Sequence, residues 1–185
     1  MIDEFEDIVR STLLDNGEFV KSIGDEVMLA FREPASALDA ALAIYARCVG
    51  TVGFPIPRGG AFHGSAVTRP RDYLGGSVNT AARIAAEARS GQFLVGDRVA
   101  DAARTRGLAV THLGEFALRH LVDPVSISEV RLVQSDHYVI DPVCRMRVDP
   151  DDAIGVRHCG NDYWLCSLQC AEQFTQNPER YASPS

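Results

Sequence analysis

The sequence predicts an α+β layered domain followed by a small cysteine-rich module. Short apolar runs with strand character alternate with longer amphipathic segments, and no tandem repeat interrupts them. Four of the five cysteines, Cys144, Cys159, Cys166 and Cys170, crowd into the C-terminal quarter, where aromatic residues also gather. That stretch is too short to build a sizeable core of its own, so it reads as a separate unit.

Taken in order, Ile2, Phe5, Ile8, Val9 and Leu13 recur at helical spacing, which predicts an amphipathic helix over 2–14. Residues 18–23 and 27–31 are apolar runs around Gly24-Asp25-Glu26, a hairpin with a glycine at its tip. Asp25 then stands exposed on a rigid turn, a setting suited to a magnesium ligand. Pro34 opens an Ala-rich helix to about Val49, with Leu38, Leu42 and Tyr45 on one side. Residues 59–67 predict a strand in which glycines permit close packing and His63 is a packed residue. Gly75, Gly76 and a capping Ser77 introduce a helix from about Ser77 to Arg89. Asn79 and Arg83, four residues apart, project from one face near its electropositive end, as a phosphate-facing pair would. A short strand at 93–95, a helix capped by Asp97, and strands near 108–113 and 125–133 complete the first domain.

Composition narrows the function classes. Apolar residues make up 46% and charged residues 23%, ordinary values for a globular chain. The net charge is −7 and no basic block occurs, which argues against a nucleic-acid partner. No apolar run approaches the roughly 20 residues that span a bilayer, and the acidic start is unlike a signal peptide. The expectation is a cytoplasmic protein without membrane association, in which clustered cysteines serve as metal ligands or as free packed thiols.

Lys-Ser-Ile-Gly-Asp at 21–25 and Asp-Tyr-Leu-Gly-Gly-Ser-Val-Asn-Thr-Ala-Ala-Arg at 72–83 carry a family likeness. It extends through Gly-Glu-Phe-Ala-Leu-Arg at 114–119 and Pro-Val at 124–125. Residues 1–133 thereby resemble the class III nucleotidyl cyclase catalytic domain in its bacterial adenylate cyclase form. The resemblance implies a ferredoxin-like α+β layer lacking its first strand. It also implies Asp25 as a ligand of Mg²⁺ or Mn²⁺, Asn79 orienting the ribose, and Arg83 stabilising the transition-state charge. Lys21 and Asp72 match the pair that reads adenine, and Arg119 stands where the family has a lysine gripping the terminal phosphates. ATP as substrate and a homodimer with sites across its interface are further implications. The family's first metal-binding aspartate lies on a strand ahead of the lysine hairpin, and no counterpart occurs in these residues; Glu6 and Asp7 lie on the opening helix.

Beyond an expected linker at 134–138, a second resemblance covers residues 139–185. Asp-Pro-Val-Cys-Arg-Met at 141–146, Tyr-Trp-Leu-Cys-Ser-Leu-Gln-Cys at 163–170, Phe174 and Asn-Pro-Glu-Arg-Tyr at 177–181 resemble the YHS domain, a relative of the TRASH metal-binding modules. It implies Cys144, Cys166 and Cys170 as ligands of zinc or another thiophilic metal, with Cys159 or His158 available as a fourth. Cys166 and Cys170 share a helix face if Ser167 starts a helix. Two functions follow from the whole chain. One is an adenylate cyclase making cyclic AMP and pyrophosphate, with a metal-binding tail. The other is a non-catalytic cyclase-homology protein that dimerises or holds a nucleotide, coupled to a thiol-metal sensor.

Overall fold

Where alternating apolar residues find an adjacent partner, the chain pairs with itself. Residues 2–13, 17–51, 54–132, 139–144, 146–151 and 153–182 are described by a computed structural model. The chain divides into two units, Met1–Cys48 with Pro57–Val133, and Val49–Ile56 with Gln134–Ser185. The expected linker at 134–138 and the last residue of the expected 125–133 strand lie outside the described residues.

In the first unit, helix α1 (Ile2–Thr12) buries Ile8 and Val9. Strands β1 (Gly17–Ile23) and β2 (Glu26–Phe31) form an antiparallel two-stranded sheet, with a register shift between Phe19 and Lys21. Helix α2 (Pro34–Gly50) buries Leu38, Ile44, Tyr45 and Cys48. The Cys48 thiol is pushed up to about 11, chiefly by burial, which makes it an inert core residue.

The principal sheet has the order β3-β6-β8-β7. Strand β3 (Gly59–Ala61) runs parallel to β6 (Phe93–Gly96), while β8 (Val125–Val130) is antiparallel to both β6 and β7 (Val110–Phe116). All four residues of β6 are buried, as expected of an interior strand covered on both faces. Its Leu94 joins Ile84, Ala88, Leu118 and Ile127 in the apolar core. Strands β4 (Val67–Arg69) and β5 (Asp72–Leu74) make a separate antiparallel pair, followed at once by helix α3 (Gly76–Glu87). Helix α4 (Asp97–Thr105) packs Val99, Ala100 and Ala103 inward. Among the described residues, β2 pairs only with β1 and β3 only with β6, so each has one side without a strand partner.

Three local expectations need correction. The strand expected over 59–67 ends at Ala61 because β6 offers a partner for only three of its residues; 62–66 has no ladder to join, and His63 is exposed. Ser77 lies inside the first turn of α3, whose cap is Gly75, and Asp97 is the first residue of α4 rather than its cap. The Asp97 carboxylate instead accepts a 2.6 Å hydrogen bond from the Ser126 hydroxyl on β8.

Gly60 fixes how closely α3 lies on the sheet. A Cβ there would run into the backbone of Ala85. Because the obstacle is main chain, it cannot rotate away. Gly60→Ala is expected to lower stability by about 1–3 kcal/mol, the range for overpacking a filled interior. Urea titration of the variant checks this, and an unchanged midpoint would refute the close approach.

The second unit is built from two small hairpins and a helical end. Strand β9 (Val139–Ile140) pairs with β10 (Arg147–Val148), and β11 (Ile154–His158) with β12 (Asn161–Leu165). Helices α5 (Leu168–Gln176) and α6 (Pro178–Tyr181) follow. Leu165, Cys170 and Phe174 form the buried centre, with Val143, Ile154, Val156 and Tyr163 against it. The Phe174 ring lies 4.7 Å from that of Tyr163 and 6.5 Å from that of Tyr181, centroid to centroid.

Candidate functional sites: a nucleotide-facing pair and a thiol cluster

Strand β1 places Lys21 opposite β5, and the two strands meet through polar groups. Lys21 Nζ donates to both oxygens of Asp72, at 2.7 and 2.8 Å. The Tyr73 backbone N–H donates to Asp72 Oδ1 at 2.8 Å, and the Tyr73 hydroxyl to Glu18 on β1 at 2.8 Å. The hydrogen bond from Lys21 and the bond from Tyr73 hold the Asp72 carboxyl below its ordinary 3.8. The Asp72 carboxyl is therefore ionised at neutral pH. Being part-exposed, the pair contributes little to stability on its own.

An ammonium has three donors and a carboxylate about four acceptor positions. At most two donors and three acceptor positions are engaged, so at least one donor and one acceptor remain.

The other residues implied by the cyclase resemblance belong to the same unit. Gly75 adopts φ 135°, a conformation that favours glycine, and lets α3 begin directly after β5. Its first turn has no side-chain cap, so backbone N–H groups there are open to an anion. Asn79 and Arg83 are both exposed on this helix, one turn apart. Asp25 is exposed in the β1–β2 turn, and Arg119 is exposed just beyond the buried Leu118. Among the described residues none of Asp25, Arg83 and Arg119 forms an ion pair, and Asp25 belongs to no group of three metal-ligating side chains. One carboxylate fits a magnesium ion that keeps most of its waters, and does not by itself make a two-ion clamp. Glu6 is engaged with Arg10 at 3.4 Å on α1. His63, rather than packing in a strand, lines a cavity of about 300 Å³ with Phe62, Asp97, Arg98, Pro124 and Ser126.

The second unit gathers its thiols. Cys144 Sγ lies 3.4 Å from Cys166 Sγ, which lies 3.6 Å from Cys170 Sγ. Three ligands 2.3 Å from a tetrahedral zinc ion stand about 3.8 Å apart, so the trio matches such an ion after small adjustments. Ser167 is the cap of α5, accepting from the Cys170 N–H at 3.2 Å; Cys166 thus sits just ahead of the helix rather than on it. Burial, together with Cys166 and Asp141 as hydrogen-bonding neighbours, pushes the Cys144 thiol up, and burial does the same for Cys170.

Asp141 is the residue that the sequence reading left out. Its carboxylate and the three thiols place one ligand atom each within 4.8 Å of one another. Neither His158 nor Cys159 belongs to that group; they contact each other at 3.3 Å in the β11–β12 turn, where Cys159 has φ 49°. A signal for Asp141 was present: Asp before Pro, three residues ahead of a cysteine, is a turn in which the carboxylate caps following N–H groups.

Comparison with known proteins bears on both units. Residues 139–185 match the YHS domain family. A stretch of 117 residues is 37% identical to a pH-sensitive adenylate cyclase of Mycobacterium tuberculosis, covering 61% of this chain and 30% of that protein. The chain thus spans less than a third of that relative's length. Among solved structures, an adenylate cyclase of Trypanosoma brucei in its monomeric state superposes with TM-score 0.60 at 22% identity, over 75% of this chain and 80% of that one. An adenylate/guanylate cyclase/hydrolase from Silicibacter pomeroyi does so with TM-score 0.54 at 25% identity, over 70% and 78%.

Proposed function

We propose, on the premise that a class III cyclase-type domain here precedes a YHS domain, that the first unit acts on ATP, forming cyclic AMP and pyrophosphate. The observation that carries this reading is the Lys21–Asp72 pair with its one spare donor and one spare acceptor. Adenine offers a ring nitrogen that accepts and an exocyclic amine that donates, so the spare Lys21 N–H and the spare Asp72 lone pair match it. Guanine would present a carbonyl to Asp72.

Cyclisation brings the ribose 3′-hydroxyl in line with the α-phosphorus while negative charge spreads over the phosphoryl oxygens. Catalysis is then positioning plus electrostatics. Asn79 orients the ribose, Arg83 meets the developing charge from the same face of α3, and Arg119 holds the terminal phosphates. Arg119 does so through a planar guanidinium, whose geometry differs from that of a lysine. A Mg²⁺ or Mn²⁺ ion held by Asp25 would supply Lewis acidity to the phosphate oxygens. The exposed apolar residues Ile23, Val67 and Leu74, the last two paired across the β4–β5 hairpin, support self-association into a homodimer. None of the helices is long and apolar enough to cross a membrane among the described residues. The five free thiols suit a reducing, cytoplasmic setting.

That Asp25 belongs to no group of three metal-ligating side chains among the described residues favours a second reading, in which the unit binds nucleotide or dimerises without catalysis. Nucleotide titration tests the shared core of both. Wild-type chain is expected to bind ATP in preference to GTP, and the double change Lys21→Glu with Asp72→Cys to shift that preference toward GTP by about 10-fold or more, the scale of one or two mismatched hydrogen bonds. An unchanged ratio would remove the pair from the base site. In the second unit, Cys144, Cys166 and Cys170 are proposed to hold zinc or another thiophilic metal, a binding that a unit of this size couples to its folding.

A further inference from the structure

We propose that Asp141 is the fourth ligand of the thiol cluster and that its carboxylate makes the site select a tetrahedral divalent ion over a monovalent thiophilic one. The proposal deepens, and rests on, the assignment of Cys144, Cys166 and Cys170 as a metal site.

The side chain of Asp141 cannot turn away from the thiols. Oδ1 accepts the N–H groups of Val143 at 2.7 Å and Cys144 at 3.2 Å, and Oδ2 accepts the Cys166 N–H at 2.8 Å. The carboxylate is thereby tied to both cysteine-bearing segments, and the Asp141 backbone N–H is itself fixed on Met146 O at 2.8 Å. Oδ1 accepts two N–H groups and Oδ2 one, and the remaining hydrogen-bonding neighbours of the carboxylate are the thiols themselves. A ligand atom of Asp141 lies with the three sulfurs inside the same 4.8 Å group. Three sulfurs and one oxygen at such spacing form a closed four-ligand set of the kind that suits zinc.

Charge gives the selectivity. Asp141 is 0% exposed, and among the described residues it has no ion pair. A buried carboxylate held by N–H groups and neutral thiols lacks a counter-charge, and a cation among the thiols supplies it. With three thiolates and one carboxylate the ligands carry four negative charges. A monovalent ion leaves three of these uncompensated in a partly buried place, a divalent ion two. The oxygen is also a hard donor, which disfavours copper(I) or silver(I) relative to zinc(II) or cobalt(II). Without the carboxylate, three thiolates alone would suit the softer monovalent ions.

The test uses the full 185-residue chain, wild type and Asp141→Asn, titrated separately with Zn²⁺ and with Ag⁺. Asp141→Asn is expected to weaken Zn²⁺ binding by about 100-fold or more, at or beyond the upper end of what losing an outer partner costs. Ag⁺ binding should change by less than about 3-fold, so the Zn²⁺/Ag⁺ ratio falls. A purely structural role for Asp141 would weaken both ions in parallel, and that outcome overturns the proposal, as does an unchanged Zn²⁺ affinity. Wild-type chain that binds neither ion overturns the thiol-site assignment and this proposal together, which distinguishes the two failures. Should the variant not fold, X-ray absorption on zinc-loaded wild type decides. Three sulfurs at about 2.3 Å with one light atom at about 2.0 Å are expected, and a shell of sulfur alone overturns the assignment.

Discussion

The 185 residues as they stand should make cyclic AMP from ATP and Mn²⁺ at no more than about a hundredth of the rate reached once a strand bearing a second carboxylate is joined ahead of Ile2. Two-ion phosphoryl transfer needs carboxylates to hold both ions, one to lower the pKa of the attacking hydroxyl and one to neutralise the leaving group. Among the described residues Asp25 belongs to no group of three metal-ligating side chains, and Glu6 on α1 is paired with Arg10. Each 1.36 kcal/mol lost from transition-state stabilisation costs tenfold, so two or three such steps are a modest estimate for a missing ion. The added strand has somewhere to go, because among the described residues β2 and β3 each have a side with no strand partner, and the half-buried residues 27–31 offer it apolar surface. Cyclic AMP is measured from both chains at equal concentration. Robust synthesis by the shorter chain, abolished by Asp25→Ala, would show that another carboxylate completes the site.

Phe174→Ala is expected to unfold the second unit at ambient temperature while leaving the first folded. Phe174 is 1% exposed and touches Tyr163, Tyr181 and His158. Truncating a buried phenylalanine costs about 3–5 kcal/mol, as much as a module this small gains from its whole core. Trp164 on β12 is the only tryptophan in the chain, so its emission reports this unit alone. Faster reaction of Cys166 and Cys170 with a thiol reagent should accompany the change. A Trp164 unfolding midpoint within error of wild type would show that the core does not depend on this ring.

Much of the first unit can be read from local pattern. The β1–β2 hairpin follows from apolar runs on either side of Gly24-Asp25, and α2 from its Pro34 start and Ala-rich face, because both need only near neighbours in sequence. The end of β3 at Ala61 could not be read the same way. A strand extends only as far as its partner, and that partner, β6, lies more than thirty positions on. Local pattern points to Ser77 as the cap of α3, whereas the cap is Gly75, because its φ of 135° depends on a turn that the residue types alone do not specify. Only the family resemblance pairs Lys21 with Asp72, since 51 positions separate them. Within the cluster, the Cys166–Cys170 spacing announces proximity by itself. Asp141 does not, because its role depends on the N–H of Cys166 coming to it from a distant stretch of chain.

That last hydrogen bond joins positions 25 apart, and the Cys144 and Cys166 sulfurs meet beside it. An ion shared by those sulfurs would close the intervening loop, a constraint whose entropic value grows only slowly with loop length. Since the unfolded segment cannot hold the ion in the same way, each tenfold rise in free metal above the dissociation constant adds about 1.4 kcal/mol to the stability of this unit. The fraction of chains with a folded tail then becomes a direct function of metal concentration. In this arrangement the tail would measure metal by folding, without any movement between two folded shapes.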